Sequence, residues 1–332
     1  MADAPPADRP SADRPSADRL PAGTRIGRVA LRVADLEEAV AFYRDVVGLA
    51  VLDRDGDEAL LGVGGAAGDE NAGPDATPLL VLHRDPDRPE RAPTDAGLFH
   101  TAFRVPSRAA LGAALGRVRD RWRLDGASDH LVSEALYLED PEGNGVELYR
   151  DRPREEWSTA ADGTVRMATE PLDLAGVAAA AGGPGDTGDA APADRAPPGT
   201  DVGHVHLEVT SLSAFEAVYV EGIGFAVGTT GPGVRFVAAG GYHHHLGANT
   251  WRGRTTPASG RGLAWFEVVV PDAAALDAVR ARAEAVASDG DVQVAVDERA
   301  DGIAVADADD IEVRVRTPEP TVTRRSSGAS PR

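Results

Sequence analysis

Alternating apolar and polar residues predict that the chain is built from four similar units. Apolar residues alternate over 26–33, 98–105, 202–209 and 263–270. Each of these segments is followed by a short polar turn, by a segment with the 3.6-residue period of a helix, and by two or three further alternating segments. We therefore predict four βαβββ modules, over residues 24–86, 96–152, 200–255 and 260–317.

A single module leaves one apolar face of its sheet open, so the modules are expected to pair. The predicted fold class is α+β, with four βαβββ modules paired into two half-barrels around a ligand-sized cavity. The predicted domains are 24–152 (modules 1 and 2) and 200–317 (modules 3 and 4), joined by a linker over 153–199. Residues 1–23 and 318–332 lack bulky apolar side chains and are predicted to be disordered.

The composition narrows the classes of function. The chain has no cysteine, which excludes disulfides, zinc–thiolate sites and cysteine nucleophiles. Its formal net charge is −20 and it contains no lysine, a balance that repels nucleic acid and anionic membrane surfaces. We expect a halophilic, cytoplasmic protein, because salt screens such charge and the chain has neither a signal peptide nor an apolar run of membrane length.

Two of the eight histidines stand at equivalent points of different modules. His100 and His204 each lie near the start of a module's first strand, where the other two modules carry Arg28 and Trp265. A lone strand histidine is more often a core residue than a ligand. Two equivalent histidines that face a barrel interior, with an acid nearby, instead favour a metal site.

Glu147 supplies that acid, in the segment Asp140-Pro-Glu-Gly-Asn-Gly-Val-Glu-Leu-Tyr149. The alternation places Val146 and Leu148 on one face of the last strand and Glu147 on the other. A carboxylate in an apolar strand is costly unless it is paired or bound to a metal, and the alternative partner is an arginine such as Arg104. Two imidazoles and one carboxylate form the triad preferred by non-haem Fe(II), and Mn(II) also accepts it.

Two longer segments carry a resemblance to a known family. Residues 241–251 (Gly-Tyr-His-His-His-Leu-Gly-Ala-Asn-Thr-Trp) and 128–137 (Ser-Asp-His-Leu-Val-Ser-Glu-Ala-Leu-Tyr) add to the histidine strands and the turn before Glu147. Together they resemble the vicinal oxygen chelate superfamily, which includes glyoxalase I, bleomycin-resistance proteins and extradiol ring-cleaving dioxygenases. The chain is most similar to the two-domain catechol-2,3-dioxygenase group, over about residues 24–317.

The resemblance implies an enzyme that opens the ring of a small aromatic diol with dioxygen and Fe(II), or Mn(II). The implied metal ligands are His100, Glu147 and His204. The implied catalytic residues are His244, His245, His130 and Tyr137. His244 is the closest match to the acid–base group and His245 stays an alternative, while His130 and Tyr137 would donate hydrogen bonds to bound oxygens. His206 shares a strand face with His204, so it is an alternative ligand or a residue that lines the pocket.

The position of the triad departs from the family pattern. If modules 1 and 2 paired, His100 would face Arg28, and if modules 3 and 4 paired, His204 would face Trp265. Neither pair supplies both histidines, although Glu312 remains in the last module. We therefore predict that modules 2 and 3 face each other and that modules 1 and 4 form a metal-free barrel. Exchange of modules between the chains of a homodimer would preserve the same triad.

Two other functions remain open. A glyoxalase-type lyase or isomerase would use a second glutamate in place of the histidine run. A resistance protein that binds a small molecule without catalysis usually lacks the triad.

Overall fold

A computed structural model describes residues 19–64, 76–160, 164–181 and 194–318, and it has a mixed α+β fold. Module 1 contains β1 (Arg25–Val33), α1 (Leu36–Phe42), β2 (Ala50–Asp55), β3 (Glu58–Val63) and β4 (Thr77–Arg84). Module 2 contains β5 (Gly97–Arg104), α2 (Arg108–Arg121), β6 (Gly126–Asp129), β7 (Ser133–Glu139) and β8 (Gly145–Asp151).

The second half of the chain repeats this order after a connecting segment. The connection contains a 3-10 turn (Arg154–Glu156), β9 (Glu170–Pro171) and α3 (Leu174–Ala180). Module 3 contains β10 (Asp201–Glu208), α4 (Leu212–Phe215), β11 (Ala226–Gly231), β12 (Val234–Ala238) and β13 (Leu246–Asn249). Module 4 contains β14 (Gly262–Val269), α5 (Ala273–Asp289), β15 (Ala295–Arg299), β16 (Gly302–Ala306) and β17 (Glu312–Arg316).

The strands form two curved sheets, and each sheet joins modules from both halves of the chain. One sheet has the order β11-β12-β13-β10-β5-β8-β7-β6-β9, and the other has the order β15-β16-β17-β14-β1-β4-β3-β2. Module 2 therefore pairs with module 3 through the antiparallel strands β5 and β10, and module 1 pairs with module 4 through β1 and β14. This sheet order confirms the predicted pairing of modules, and it occurs within one chain.

The order of the strands in the two sheets does not by itself define the domain boundaries. The division at 24–152 and 200–317 stays a prediction. The predicted disordered tails lie outside the described residues, apart from residues 19–23 and 318. Part of the segment interpreted as a linker is helical, because α3 packs on α2 with Val177 buried. A side chain at Gly112 of α2 would collide with the carbonyl oxygen of Val177, so glycine permits this close contact.

The polar turns that open the module helices act as N-caps. The cap side chain accepts a hydrogen bond from a backbone N–H three residues later, which satisfies one of the unpaired N–H groups of the first turn. The caps are Asp35, Ser107, Ser211 and Asp272. The helices of modules 1 and 3 continue as π-helical turns that end at Gly48 and Gly224, with φ of 93° and 102°. This left-handed conformation favours glycine.

The helices pair in a different combination from the strands. α2 packs against the helix of module 1, and α5 packs against that of module 3. A buried tyrosine accompanies each contact: the hydroxyl of Tyr43 donates to Asp140 Oδ2 at 3.0 Å, and that of Tyr219 donates to Asp307 Oδ2 at 2.9 Å. Strands therefore join modules 1–4 and 2–3, while helices and tyrosines join 1–2 and 3–4.

Among the helices of the described ranges, none is long and apolar enough to cross a bilayer.

Asp307 predicts a pH-dependent contribution to stability. Burial raises its pKa to about 7, although the N–H groups of Ile311 and Asp309 and the hydroxyl of Tyr219 act in the opposite direction. A carboxyl whose pKa is raised on folding stabilises the native state at low pH, and this contribution is lost as pH rises from about 4 to about 7. We expect the free energy of unfolding of the wild type to fall across this range, relative to Asp307→Asn, by roughly 2–4 kcal/mol.

Urea denaturation of both proteins between about pH 4 and pH 8 measures this difference. Asp35→Asn, which alters an exposed helix cap, is the control for the loss of one negative charge. Parallel pH profiles for the wild type and Asp307→Asn would contradict the prediction.

Candidate metal centre

Three buried side chains from three strands converge on one point of the concave face of the nine-stranded sheet. The distances are 3.2 Å from His100 Nε2 to His204 Nε2, 3.1 Å from His100 Nε2 to Glu147 Oε2, and 3.2 Å from His204 Nε2 to Glu147 Oε2. Within the described part of the chain, these residues form the group of acids and histidines that could hold a metal ion. They are the three residues that the sequence predicted as ligands.

The register of the sheet produces this convergence. His204 on β10 lies opposite Ala102 on β5, and Ala102 lies opposite Glu147 on β8. Neighbouring strands lie about 4.8 Å apart, so the histidine and the glutamate must lean towards each other over the strand between them. Ala102 is fully buried, and its small side chain leaves space for them. His100 reaches the same space from two residues earlier on β5.

The electrostatics of the cluster suit a cation. Burial raises the pKa of Glu147, but the imidazoles of His204 and His100 outweigh this effect and hold it well below its ordinary value. Burial lowers the pKa of His204 to about 4, although Glu147 raises it. The cluster therefore presents a carboxylate and an imidazole that is neutral at physiological pH, and both offer lone pairs. Arg104, the alternative partner of Glu147, instead binds Asp151 and Asp201.

His206 is buried beside the cluster, but its Nε2 already takes part in a hydrogen bond. Asn249 Nδ2 lies 3.1 Å from His206 Nε2, and an amide N–H₂ group can only donate, so this ring nitrogen accepts. The rings of His206 and His100 are 5.0 Å apart. His206 therefore packs against a member of the triad, while His204 contributes the converging atom; a role for His206 in lining the pocket stays a prediction.

The histidine run lies in the turn before β13 rather than on a strand. Gly240 and Gly241, with φ of 60° and 67°, reverse the chain just before the run. The His244 ring lies 4.1 Å from the His204 ring, next to the triad. His245 points away, with Nδ1 accepting from the N–H of Ala239. The geometry thus favours His244 over His245 as the histidine that faces the cluster.

A hydrogen-bonded chain behind His244 determines which of its nitrogens carries a proton. Asp151 Oδ1 lies 2.9 Å from His243 Nε2, and His243 Nδ1 lies 2.7 Å from His244 Nδ1. Burial raises the pKa of Asp151, but His243 and Arg104 together lower it below its ordinary value, so its carboxylate only accepts. Neutral His243 must therefore donate through Nε2 and accept at Nδ1. His244 then donates through Nδ1, which leaves the lone pair on its Nε2.

His130 and Tyr137 lie on the other side of the triad. His130 Nδ1 is 2.6 Å from the carbonyl oxygen of Ala168, and its Nε2 is 2.6 Å from the Tyr137 hydroxyl. The carbonyl only accepts, so His130 donates to it through Nδ1, while the Tyr137 hydroxyl also makes a hydrogen bond to Glu147, whose carboxylate only accepts. The Tyr137 ring is 5.8 Å from the His100 ring. Their predicted contact with bound oxygens stays a prediction, with Tyr137 nearer the triad.

Several residues around the site were missed by the sequence analysis. Phe99, Phe236 and Trp251 pack around His206, with ring separations of 5.0, 5.6 and 5.8 Å. Asp151 could have been found by extending the alternation that assigned Glu147, since it lies four residues later on the same face of β8. The aromatic residues come from three separate segments, and no local pattern brings them together.

Comparisons with known proteins identify the family of the chain. A family model described as the Glyoxalase/Bleomycin resistance protein/Dioxygenase superfamily matches residues 25–148. A Bacillus subtilis (strain 168) protein named catechol-2,3-dioxygenase is 38% identical over 267 residues, which is 78% of this chain and 87% of that protein. The chain belongs to the glyoxalase/bleomycin resistance/dioxygenase superfamily. This confirms the resemblance identified from the sequence motifs.

Solved structures of other superfamily members share the fold. A Bacillus subtilis strain 168 protein described as a dioxygenase superposes with a TM-score of 0.57 at 13% identity, covering 89% of this chain and 86% of that chain. Glyoxalase I from Zea mays superposes with a TM-score of 0.51 at 14% identity, covering 89% and 92%. At these identities the superpositions show the fold alone.

The second sheet of this superfamily member carries different residues at the positions of the triad. Counting along the strands, Arg28 corresponds to His204 and Trp265 to His100. Glu147 pairs with the sixth residue of β5, and Arg314 pairs with the sixth residue of β14, so Arg314 corresponds to Glu147. The expectation that Glu312 retains this position is wrong, because Glu312 lies two residues earlier.

The hydrogen-bonded chain behind His244 predicts a fixed pair of tautomers. At about pH 8, where a free imidazole is neutral, we expect His243 to be protonated at Nε2 and His244 at Nδ1. Long-range ¹H–¹⁵N correlation spectra of ¹⁵N-labelled protein report these states, and His243→Gln and His244→Gln assign the signals. Asp151→Asn should remove the preference of both rings, whereas Asp129→Asn, at another partly buried ion pair, should not. Unchanged tautomers in Asp151→Asn would contradict the prediction.

Proposed function

We propose that the protein is a metal-dependent extradiol dioxygenase that opens the ring of a catechol-type diol. The metal, Fe(II) or Mn(II), would be held by His100, Glu147 and His204. The observation that supports this most is the convergence of three lone-pair atoms within 3.1–3.2 Å of one another. The Bacillus subtilis relative named catechol-2,3-dioxygenase supports the reaction class.

The donor set fits a first-row divalent metal. Ligand atoms that lie about 2.1 Å from such an ion, at right angles to one another, are about 3.0 Å apart. The observed separations are close to this value, and two imidazoles with one carboxylate on one face leave positions for other ligands. At such a site the metal supplies a path for electrons between a chelated diol and dioxygen.

His244 is the residue best placed to take the phenolic proton of the substrate. Its Nε2 carries the lone pair, and its ring lies against that of His204. The carboxylate of Asp151, acting through His243, would stabilise the imidazolium that forms when His244 accepts this proton. His245, the alternative, has its Nδ1 occupied by a backbone N–H and faces away from the triad.

The remaining residues would bind the ring and keep water away from it. Phe99 and Phe236 flank the triad side of the cavity and offer ring edges and faces to an aromatic substrate. Tyr137, held in place by His130, would direct a polar group towards the bound oxygens. Both oxygen atoms of dioxygen would then enter the ring-opened product.

Two alternatives receive less support. A glyoxalase-type lyase would need a second carboxylate at the centre, and within the described residues the cluster contains Glu147 alone. A binding protein without catalysis would not need the chain of three hydrogen-bonded residues behind the triad. We also propose a high-salt setting with no nucleic-acid or membrane partner on the basis of the charge, and the cytoplasmic location stays a prediction.

The proposed ligands predict which substitutions remove the metal. After anaerobic loading with Fe(II) and desalting, we expect His100→Ala and His204→Ala to bind iron more than about 100-fold more weakly than the wild type, since each loses a ligand. Trp265→Ala, at the equivalent point of the second sheet, should retain iron. Metal analysis of the three variants measures their iron content and tests the ligand assignment. Full iron content in His100→Ala would contradict the assignment.

The proposed reaction predicts oxygen uptake with catechol and a yellow ring-opened product. His244→Gln should lower kcat by ~10²–10⁴ while iron remains bound, because a proton acceptor is lost. His245→Gln is the matched control and should change kcat far less. If iron-loaded protein consumed no oxygen with a series of catechols, the dioxygenase proposal would be abandoned for the lyase.

A further inference from the structure

A buried carboxylate beyond the triad is surrounded by an excess of arginine. Glu208 lies four residues after His204 on the same face of β10, and its side chain is 1% exposed. Arg254 Nη2 lies 2.7 Å from Glu208 Oε2, and Arg91 contacts the same oxygen. Arg252 Nε lies 3.5 Å from the other oxygen, Oε1. Three guanidinium groups therefore share one carboxylate.

The charges of this group do not cancel. Burial lowers the pKa of Arg91, and Arg254 and Arg252 lower it further, whereas Glu208 raises it. Three cations and one anion leave two positive charges in excess, in a chain whose net charge is −20. Such a local excess against the overall charge attracts anions to this point of the surface.

Arg252 is the member of the group that can receive a ligand. Its side chain is 57% exposed, and its pairing with Glu208 is longer than that of Arg254. Arg252 makes no hydrogen bond to Glu208 Oε1, which is buried without a hydrogen-bond partner among the described residues, so the N–H groups of Arg252 are not committed to this carboxylate.

The position of Arg252 connects it to the candidate substrate cavity. Its guanidinium carbon lies 5.5 Å from the ring centre of Phe99. The Phe99 ring is in turn 5.2 Å from the His100 ring, so Arg252 lies one aromatic ring beyond the triad. Trp251, the preceding residue, is 55% exposed, and its ring lies 5.8 Å from that of Phe99.

We propose that the substrate is a catechol bearing an anionic substituent, whose carboxylate is received by Arg252, one aromatic ring beyond the triad. The inference rests on the proposed dioxygenase function and specifies its substrate class. A diol chelated at the triad would place its ring beside Phe99 and extend an acidic arm past Trp251. The guanidinium presents N–H groups in the geometry that binds a carboxylate through two hydrogen bonds.

The experiment compares a carboxylated catechol with its neutral counterpart. The compounds are 3,4-dihydroxyphenylacetate, its methyl ester and 4-methylcatechol. The proteins are iron-loaded wild type, Arg252→Gln, Arg252→Lys and Arg299→Gln, the last of which removes one exposed positive charge far from the cavity. Binding is measured calorimetrically without oxygen, so that no turnover occurs, and kcat and KM are then measured from oxygen uptake.

We expect the wild type to bind the carboxylate at least about tenfold more tightly than the ester. Arg252→Gln should remove this preference by raising the Kd and KM of the carboxylate, with values for the ester unchanged. Arg252→Lys should restore part of the preference, and Arg299→Gln should behave as the wild type.

Equal binding of carboxylate and ester by the wild type would overturn the inference, as would a preference that survives in Arg252→Gln. Failure of the proposed function has a different signature, because oxygen uptake would then be absent with 4-methylcatechol as well. In that case the anaerobic binding measurements still decide whether Arg252 selects an anion.

Discussion

The antiparallel pairing of β5 with β10 is the interaction on which the candidate centre depends. It brings His100 and His204, which are distant in sequence, to the same face of one sheet, and it places Ala102 between His204 and Glu147. Side chains alternate across a strand, so a slip of one residue would turn one histidine to the opposite face. The apolar residues on the reverse of these strands pack against the helices and oppose such a slip. The core thus maintains the geometry of the polar cluster.

The two ways in which the modules are joined support this pairing. The strands connect modules 2 and 3, while the helices connect module 1 to 2 and module 3 to 4, with Tyr43–Asp140 and Tyr219–Asp307 at corresponding places. Each module therefore contacts one partner through its sheet and another through its helix. Displacing β10 from β5 would also disturb the opposite sheet, since the four modules form a closed set of contacts. This explains how a site assembled from both halves of the chain can keep its geometry.

Much of this arrangement could be predicted from the sequence. The alternation in 98–105 and 202–209 predicted the strands, and the distribution of His100, His204 and Glu147 predicted which modules pair. Those inferences used the type of residue and its place within a repeat, which are local properties. The orientation of the histidine run could not be predicted from such local properties. It depends on the turn at Gly240 and Gly241, which places the run outside β13.

Other parts depended on register. The sequence did not locate the start of the last strand closely enough to distinguish Glu312 from Arg314 as the counterpart of Glu147, because that counterpart is set by which residue of β17 lies opposite the sixth residue of β14. The same limitation applies to Asp151, whose contact with His243 joins residues 92 positions apart. Such contacts depend on how the strands align in the folded sheet, and this alignment cannot be predicted from a single sequence.

The second sheet shows what the fold itself does and does not require. At the counterparts of the triad it holds Arg28, Trp265 and Arg314, and the guanidinium of Arg314 lies 3.9 Å over the tryptophan ring. Glu267, at the counterpart of Ala102, fills the central space and forms an ion pair with Arg28. Cation–π stacking and a buried ion pair thus stabilise the same strand positions without a central ion. A sheet of this shape can therefore hold either a group of possible metal ligands or a set of ion pairs and stacked side chains. The first sheet differs in having the small residue Ala102 between His204 and Glu147, which leaves space for their side chains to converge.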